Sequence, residues 1–184
     1  MSHKSKKRKS LLWFGLLVFV FGSLLGACSK TEDSNTAVIK TVLEHEFFGP
    51  DEKLMDLMWN PKYKTVVNDK EENKELDQYL EEKYGPYFTD NGLYLFVAAF
   101  GGTSYQTFAH DSGYTLNLKS VDAEQNKDLP NFYTFTAKVG YQKGDEKEKT
   151  GTVQGNVTFS ENEKGEMTKF QYDGDDELRK ILQD

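Results

Sequence analysis

Residues 131–143 read NFYTFTAKVGYQK, and residues 150–160 read TGTVQGNVTFS. In the first segment, aromatic and aliphatic side chains occupy every second position, with threonine or lysine at several positions between them. The apolar positions are Tyr133, Phe135, Ala137, Val139 and Tyr141. Because side chains of a strand alternate between two faces, this pattern predicts a half-buried strand. The polar, glycine-bearing connection Gly144–Lys149 predicts a hairpin turn between the two segments.

Further segments rich in Thr, Tyr, Phe and Val predict more strands of the same sheet. They are Thr103–Ala109, Tyr114–Asp122 and Glu166–Tyr172, with a second hairpin turn at Glu161–Gly165. Leu93–Phe100 is apolar at every position, which favours a strand buried on both faces and leaves a short helix as the alternative.

The part of the chain before these strands has a helical spacing of apolar residues. Val38, Ile39, Val42, Leu43 and Phe47 predict a first helix, capped by Asn35 or Thr36. Pro50-Asp51-Glu52 predicts the start of a second helix, and a third is expected over Glu71–Tyr84. A short helix over Asp175–Leu182 is expected to end the chain.

Helices followed by an antiparallel meander predict an α+β domain over residues 36–184, with N-terminal helices packed on a curved antiparallel sheet. Over residues 36–172 this order, the long hairpins and the last strand, MTKFQYDG, resemble the nuclear-transport-factor-2-like (cystatin-like) superfamily. That resemblance implies a cone-like sheet whose mouth is filled by three helices. A lipocalin-type barrel is the alternative, and three helices before the first strand argue against it.

The N-terminus has the composition of a targeting segment. Lys4, Lys6, Lys7, Arg8 and Lys9 precede an uncharged apolar run from Leu11 to Ala27. A basic cluster, an apolar run and small residues at its end predict a secretory signal peptide over residues 1–27. The alternative is an uncleaved membrane anchor, since 17 apolar residues reach the lower limit for spanning a bilayer.

Leu25-Gly26-Ala27-Cys28 resembles the lipobox of bacterial lipoproteins. The resemblance implies cleavage between Ala27 and Cys28 and acylation of Cys28, with palmitate as an expected chain. Two or three acyl chains anchor a protein stably, whereas one does so only marginally. We therefore expect a protein on the extracytoplasmic face of the cell membrane, with residues 28–35 as a polar tether.

Charge and cysteine content exclude several classes of function. The formal net charge is −7, and residues 1–27 hold five basic and no acidic residues, so the remainder is strongly acidic. An acidic body repels phosphate backbones, which argues against a nucleic-acid partner. A single cysteine excludes an intrachain disulfide and any metal site built from several cysteines.

His110-Asp111 is an adjacent imidazole–carboxylate pair and therefore a candidate acid–base site. Catalytic members of the cone superfamily place such residues in the cavity. However, neighbours on a strand point to opposite faces, and Ser112-Gly113 follows as a turn signal. The pair is thus either a cavity site or part of a turn, and the turn is favoured.

Other polar residues have simple structural explanations. His45 lacks metal ligands at helical spacing and is expected to face solvent. The acids of Asp173–Glu177 do not match a calcium loop and are expected to cap the last helix. No metal site, cofactor or catalytic motif is therefore expected.

Aromatic residues are concentrated on the predicted strands and suggest either a ring-lined pocket or a packed core. They are Tyr94, Phe96, Phe100, Tyr105, Phe108, Tyr133, Phe135, Tyr141, Phe159, Phe170 and Tyr172. We expect a non-catalytic domain that binds a small apolar or sugar-like ligand or an envelope protein. A small enzyme of the cone superfamily with a cavity histidine or carboxylate is the alternative.

Overall fold

The computed structural model describes residues 33–184. Its helices are α1 (Ser34–Glu46), α2 (Glu52–Trp59), α3 (Lys74–Tyr84), α4 (Asp90–Ala98), α5 (Ser104–Ser112) and α6 (Asp176–Gln183). Its strands are β1 (Thr65–Val67), β2 (Lys70–Glu72), β3 (Tyr114–Gln125), β4 (Phe132–Lys143), β5 (Lys149–Phe159) and β6 (Met167–Gly174). Single 3-10 turns cover Pro61–Tyr63 and Gly85–Tyr87.

The main sheet has four antiparallel strands in the order β3-β4-β5-β6. It is curved without closing, and all helices but α6 precede it in the chain. The α+β class is thus confirmed, and the arrangement is consistent with a cone-like fold. Strands β1 and β2 form a separate small hairpin.

Alternation along β4 produces the predicted buried face. Its five apolar positions are buried, whereas Thr134 and Lys138 are exposed. We call the face that carries these five residues the inner face of the sheet. Val153, Val157 and Phe159 of β5 are also buried in the same core.

The first three helices form where apolar spacing predicts them, with shifted starts. Helix α1 begins at Ser34, and its N-cap is Asp33, so the predicted cap at Asn35 or Thr36 is wrong. Helix α2 begins after Asp51, whose side chain accepts a hydrogen bond from the Leu54 N–H. Helix α3 begins only at Lys74, because residues 70–72 pair with residues 65–67 in the small hairpin.

Two predicted strands are wrong, because residues 93–100 and 103–109 are largely helical. The Thr89 side chain caps α4 by accepting from the Gly92 N–H, and the helix buries Leu93 and Phe96 while Tyr94 is exposed. Helix α5 ends at Gly113, which adopts a left-handed conformation with φ of 71°. Five aromatics assigned to strands therefore lie elsewhere: Tyr94, Phe96, Tyr105 and Phe108 on helices and Phe100 just after α4.

The sheet edges are partly covered by preceding segments. Gly49 forms an isolated antiparallel bridge with Leu116 of β3, and Phe88 forms a parallel bridge with Met167 of β6. Helix α6 is held by Leu178 and Leu182, which are fully buried. Within residues 33–184, no helix has the length and hydropathy required to cross a bilayer.

Candidate functional site

The inner face of the sheet is covered by aromatic rings that pack on one another. Phe135 stacks on Phe170 with ring centroids 5.3 Å apart, and Phe170 lies edge-on to Phe96 of α4 at 5.6 Å. Phe47, at the end of α1, lies edge-on to Tyr105 of α5 at 4.7 Å. These rings fill the space between the sheet and the helices.

Glu46 is a buried carboxylate within this ring cluster, with 1% of its surface exposed. Its Oε1 accepts hydrogen bonds from the Tyr84 hydroxyl at 3.1 Å and the Gly102 N–H at 2.5 Å. Its Oε2 accepts from the Tyr172 hydroxyl at 3.1 Å. Burial raises the pKa of Glu46 to about 7, although these three donors oppose the shift.

Sequence reasoning missed Glu46, although a signal for it was present. Ile39, Val42, Leu43 and Glu46 follow one helical stripe, so the carboxylate falls on the face that α1 buries. A glutamate on an apolar stripe implies buried donors, but the sequence does not indicate which residues supply them.

Gln106 holds the end of α1 and the turn that follows. Its Nε2 donates to the carbonyl oxygens of His45, Glu46 and Phe48 at 2.9–3.2 Å. Its Oε1 accepts from the Asp51 N–H at 2.8 Å. The last carbonyl groups of a helix have no hydrogen-bond partner within the helix. The buried Gln106 amide supplies that partner and so fixes the backbone where the chain leaves α1.

A surface pocket of about 460 Å³ lies beside this fixed turn. We call it the α1–β3 groove, because it lies between the end of α1, Lys83 of α3 and strand β3. Its lining residues are Glu44, His45, Phe48, Lys83, Asn117 and Leu118. The β3 residues come directly before a β-bulge between Leu118 and Ser120, a feature that occurs often beside functional sites.

Lys83, which lines the groove, forms an ion pair with Asp51. Its Nζ lies 2.7 Å from Asp51 Oδ2 and 5.5 Å from the centre of the Tyr79 ring. The Tyr79 hydroxyl donates to the same Asp51 oxygen at 2.5 Å. Burial raises the pKa of Asp51, but hydrogen bonds from Lys83, Tyr79 and the Leu54 N–H outweigh it and leave that pKa below its usual value.

His45 is half-buried rather than solvent-facing, so that expectation is wrong. Its ring lies edge-on to Tyr84 at 5.7 Å and to Tyr87 at 5.9 Å. Its Nδ1 is buried and has no hydrogen-bond partner within residues 33–184. Burial, followed by the nearby charge of Lys83, lowers the pKa of His45, which favours the neutral ring at pH 7.

His110 and Asp111 lie at the end of α5, not on a strand. Both side chains are exposed, and His110 Nδ1 lies 3.0 Å from Asp111 Oδ1. The structure therefore brings the two residues together, but neither lines the α1–β3 groove. Gly113 ends the helix just after them, at the position of the predicted turn signal.

The acids of Asp173–Glu177 were expected to cap the last helix, and Asp175 does not do so with its side chain. Asp175 is at the N-cap position of α6 but makes no capping hydrogen bond with its side chain. Its Oδ2 instead accepts from the Tyr105 hydroxyl at 2.7 Å and lies 2.6 Å from Arg179 Nη2. Among residues 33–184, no group of three His, Cys, Asp or Glu side chains is placed to hold a metal ion.

Ala27 and Cys28, the predicted cleavage and acylation residues, lie outside the described residues. No protein-family model, curated protein or solved structure matches this chain.

Proposed function

We propose that this chain is a lipoprotein, anchored by acyl chains on Cys28 to the extracytoplasmic face of the cell membrane, whose folded domain binds a ligand or an envelope protein without catalysis. The acyl chains set the location. The domain supplies the contacts.

The leader supports the anchor. A basic cluster, an apolar run and Leu25-Gly26-Ala27-Cys28 follow one another in the order that such leaders have. Five residues separate Cys28 from Ser34, where α1 begins, so the extended tether spans about 20 Å at most. The domain would then be held close to the bilayer surface.

The main support for a non-catalytic role is that both carboxylate oxygens of Glu46 already accept hydrogen bonds from the protein. An enzyme of the cone superfamily needs a titratable group that a substrate can reach. Glu46 has the shifted pKa of such a group, but both its oxygens accept hydrogen bonds from the protein and rings surround it. The pair His110–Asp111 is exposed, and neither residue lines the groove.

Labelling with a palmitate analogue in a bacterium that processes lipoproteins tests the anchor. The wild-type chain should take up label and sediment with membranes. Cys28→Ala should lose the label and leave the membrane fraction or accumulate with its leader attached, whereas the adjacent Ser29→Ala should behave as wild type. If Cys28→Ala were cleaved normally and stayed on the membrane, the lipoprotein proposal would be wrong.

A further inference from the structure

We propose that the α1–β3 groove binds an organic cation, that is, an ammonium or guanidinium group on an apolar stem. This inference rests on the proposed binding function and names the site and the chemical class of its ligand.

The groove has the size and apolar surface that a small organic ligand needs. Its volume of about 460 Å³ lies within the range of small-molecule sites. Phe48 forms one wall with 76% of its surface exposed, and Leu118 supplies a second apolar contact. Gln106 donates to the Phe48 carbonyl at 3.1 Å and so fixes the backbone that carries this exposed ring. A cation over an aromatic face gains electrostatic attraction as well as contact.

The charge of the groove favours a cation. Glu44 is exposed at the rim and has no ion-pair partner within the described part of the chain. Lys83, the basic residue of the lining, is mostly buried and paired with Asp51 at 2.7 Å, so an anion would compete with a carboxylate already in place. Residues 33–184 contain 29 acidic and 17 basic residues, which further favours approach of a cation.

Two neutral groups complete the lining. Asn117 Nδ2 donates to Glu148 Oε1 at 2.6 Å, which leaves its carbonyl oxygen as an acceptor for ligand N–H groups. His45 has a lowered pKa and therefore adds no positive charge at neutral pH. Besides Lys83, the charged groups that act on His45 are Glu44 and Asp51, and the tyrosines whose rings face it are Tyr84 and Tyr87. A cation thus meets one free carboxylate, an amide oxygen and an apolar wall.

The same chemistry has two sources, a free organic amine or a lysine or arginine side chain of an envelope protein. Both carry a charged nitrogen on an apolar stem. They differ in whether a backbone must also fit at the rim.

The test uses the full chain in nanodiscs of zwitterionic lipid, with empty nanodiscs as background, and measures Kd by equilibrium dialysis. The probes are phenethylammonium, neutral 2-phenylethanol and anionic 3-phenylpropanoate. We expect the cation to bind more tightly than both analogues and its affinity to fall with added salt. An anion or neutral probe that binds as tightly as the cation overturns the proposal.

Two variants with matched controls localise the binding. Glu44→Gln should weaken the cation roughly two- to five-fold, as expected for a partly exposed ion pair, and should leave the neutral probe unchanged. Glu75→Gln removes one exposed acid from another helix and should change neither. If Glu44→Gln and Glu75→Gln gave equal Kd values for the cation, the assignment to this groove would fail.

The contribution of the Phe48 ring to cation binding is tested with the same probes. Phe48→Leu keeps an apolar side chain but removes the aromatic face, so it should weaken the cation more than the neutral probe. Phe100→Leu, at a ring that is 71% exposed and does not line the groove, should have no effect. Equal losses for both probes in Phe48→Leu would contradict a cation site.

A capped tripeptide, acetyl-Gly-Lys-Gly-amide, separates the two sources. Tighter binding than phenethylammonium, lost in Glu44→Gln, points to a basic side chain of a protein, and the reverse order points to a free amine. If none of the cations binds but Cys28 still takes up the palmitate label, the groove proposal is wrong and the anchor proposal is not affected. If the cations bind but Cys28 takes up no label, the anchor proposal is wrong and the groove proposal is not affected.

Discussion

The hydroxyl of Tyr172 donates a hydrogen bond of 3.1 Å to Glu46 Oε2, joining β6 to α1 across 126 residues of sequence. Tyr84 of α3 and the N–H of Gly102, between α4 and α5, donate to the other oxygen. One buried carboxylate thus connects the start of the domain, two helical segments and the last strand. Its protonation state should be visible in the stability of the whole domain.

Replacing Glu46 by glutamine is expected to remove a pH dependence of stability. Burial raises the pKa of Glu46 from 4.5 to about 7, so between these values the folded chain binds a proton that the unfolded chain releases. The free energy of unfolding should therefore fall as pH rises from about 4.5 to about 7, by roughly 3 kcal/mol for a shift of this size. Urea denaturation at a series of pH values measures this fall in stability, which Glu46→Gln should remove and the exposed Glu44→Gln should retain.

His45 should give the opposite pH dependence. Burial and then the charge of Lys83 lower its folded pKa, so the unfolded chain binds the proton more readily. The stability that this provides is present above the ordinary histidine pKa of about 6.5 and is lost as pH falls through the folded pKa. Urea denaturation of Glu46→Gln should show this loss of stability at low pH, whereas the double variant Glu46→Gln/His45→Phe should not. If the double variant still lost stability at low pH, a group other than His45 would be responsible.

Tyr105→Phe is expected to loosen the C-terminal helix. The Tyr105 hydroxyl donates to Asp175 Oδ2 at 2.7 Å in a buried setting, and without it the Asp175 carboxylate loses this donor while its ion pair with Arg179 remains. Loss of a buried hydrogen bond to a charged group costs about 1.5–3 kcal/mol. Chemical denaturation measures this change, and faster hydrogen exchange in α6 would locate it. Tyr94→Phe, at an exposed hydroxyl, should leave the free energy of unfolding unchanged.

Gly155→Ala should destabilise the domain strongly. A methyl group at this position of β5 would lie 2.2 Å from the Gln171 carbonyl oxygen and 2.5 Å from the Phe135 ring. Because backbone and a stacked ring cannot both move away, a loss of at least about 2 kcal/mol is expected. Gly174→Ala on β6 is the control, since its nearest neighbour is the flexible Gln154 side chain at 3.3 Å. Equal melting temperatures for the two variants would contradict this account.

The sheet was predictable because its strands carry a local signal. In β4, Tyr133 and its alternate neighbours follow a period of two, and one register satisfies all of them. The run from Leu93 to Phe100 has no such period, since an apolar residue at every position suits a buried strand or a buried helix equally. The Thr89 cap and the turn at Gly101-Gly102 select a helix there, and the packing of Phe96 against Phe88 and Phe170 stabilises it.

The candidate site was less predictable than the fold. Glu46 was visible as an acid on an apolar stripe, but its donors come from residues 84, 102 and 172. His45 was expected in solvent, because nothing near it in sequence shows that Tyr84 and Tyr87 enclose it. These contacts exist only once Tyr84, at the end of α3, and Tyr87, in the turn after it, lie against the end of α1.

The sequence alone determined the α+β class, the long hairpins and the acidic character of the body, because periodicity, turn residues and charge are local properties of a chain. It also supplied the prediction of an acylated Cys28, which stays a prediction. The tertiary structure decided that residues 93–98 and 104–109 are helical, that Glu46 is buried and that Phe48 and Glu44 line the same groove. Each of these depends on residues far apart in the sequence, and their burial and hydrogen bonding are fixed only when the elements pack together.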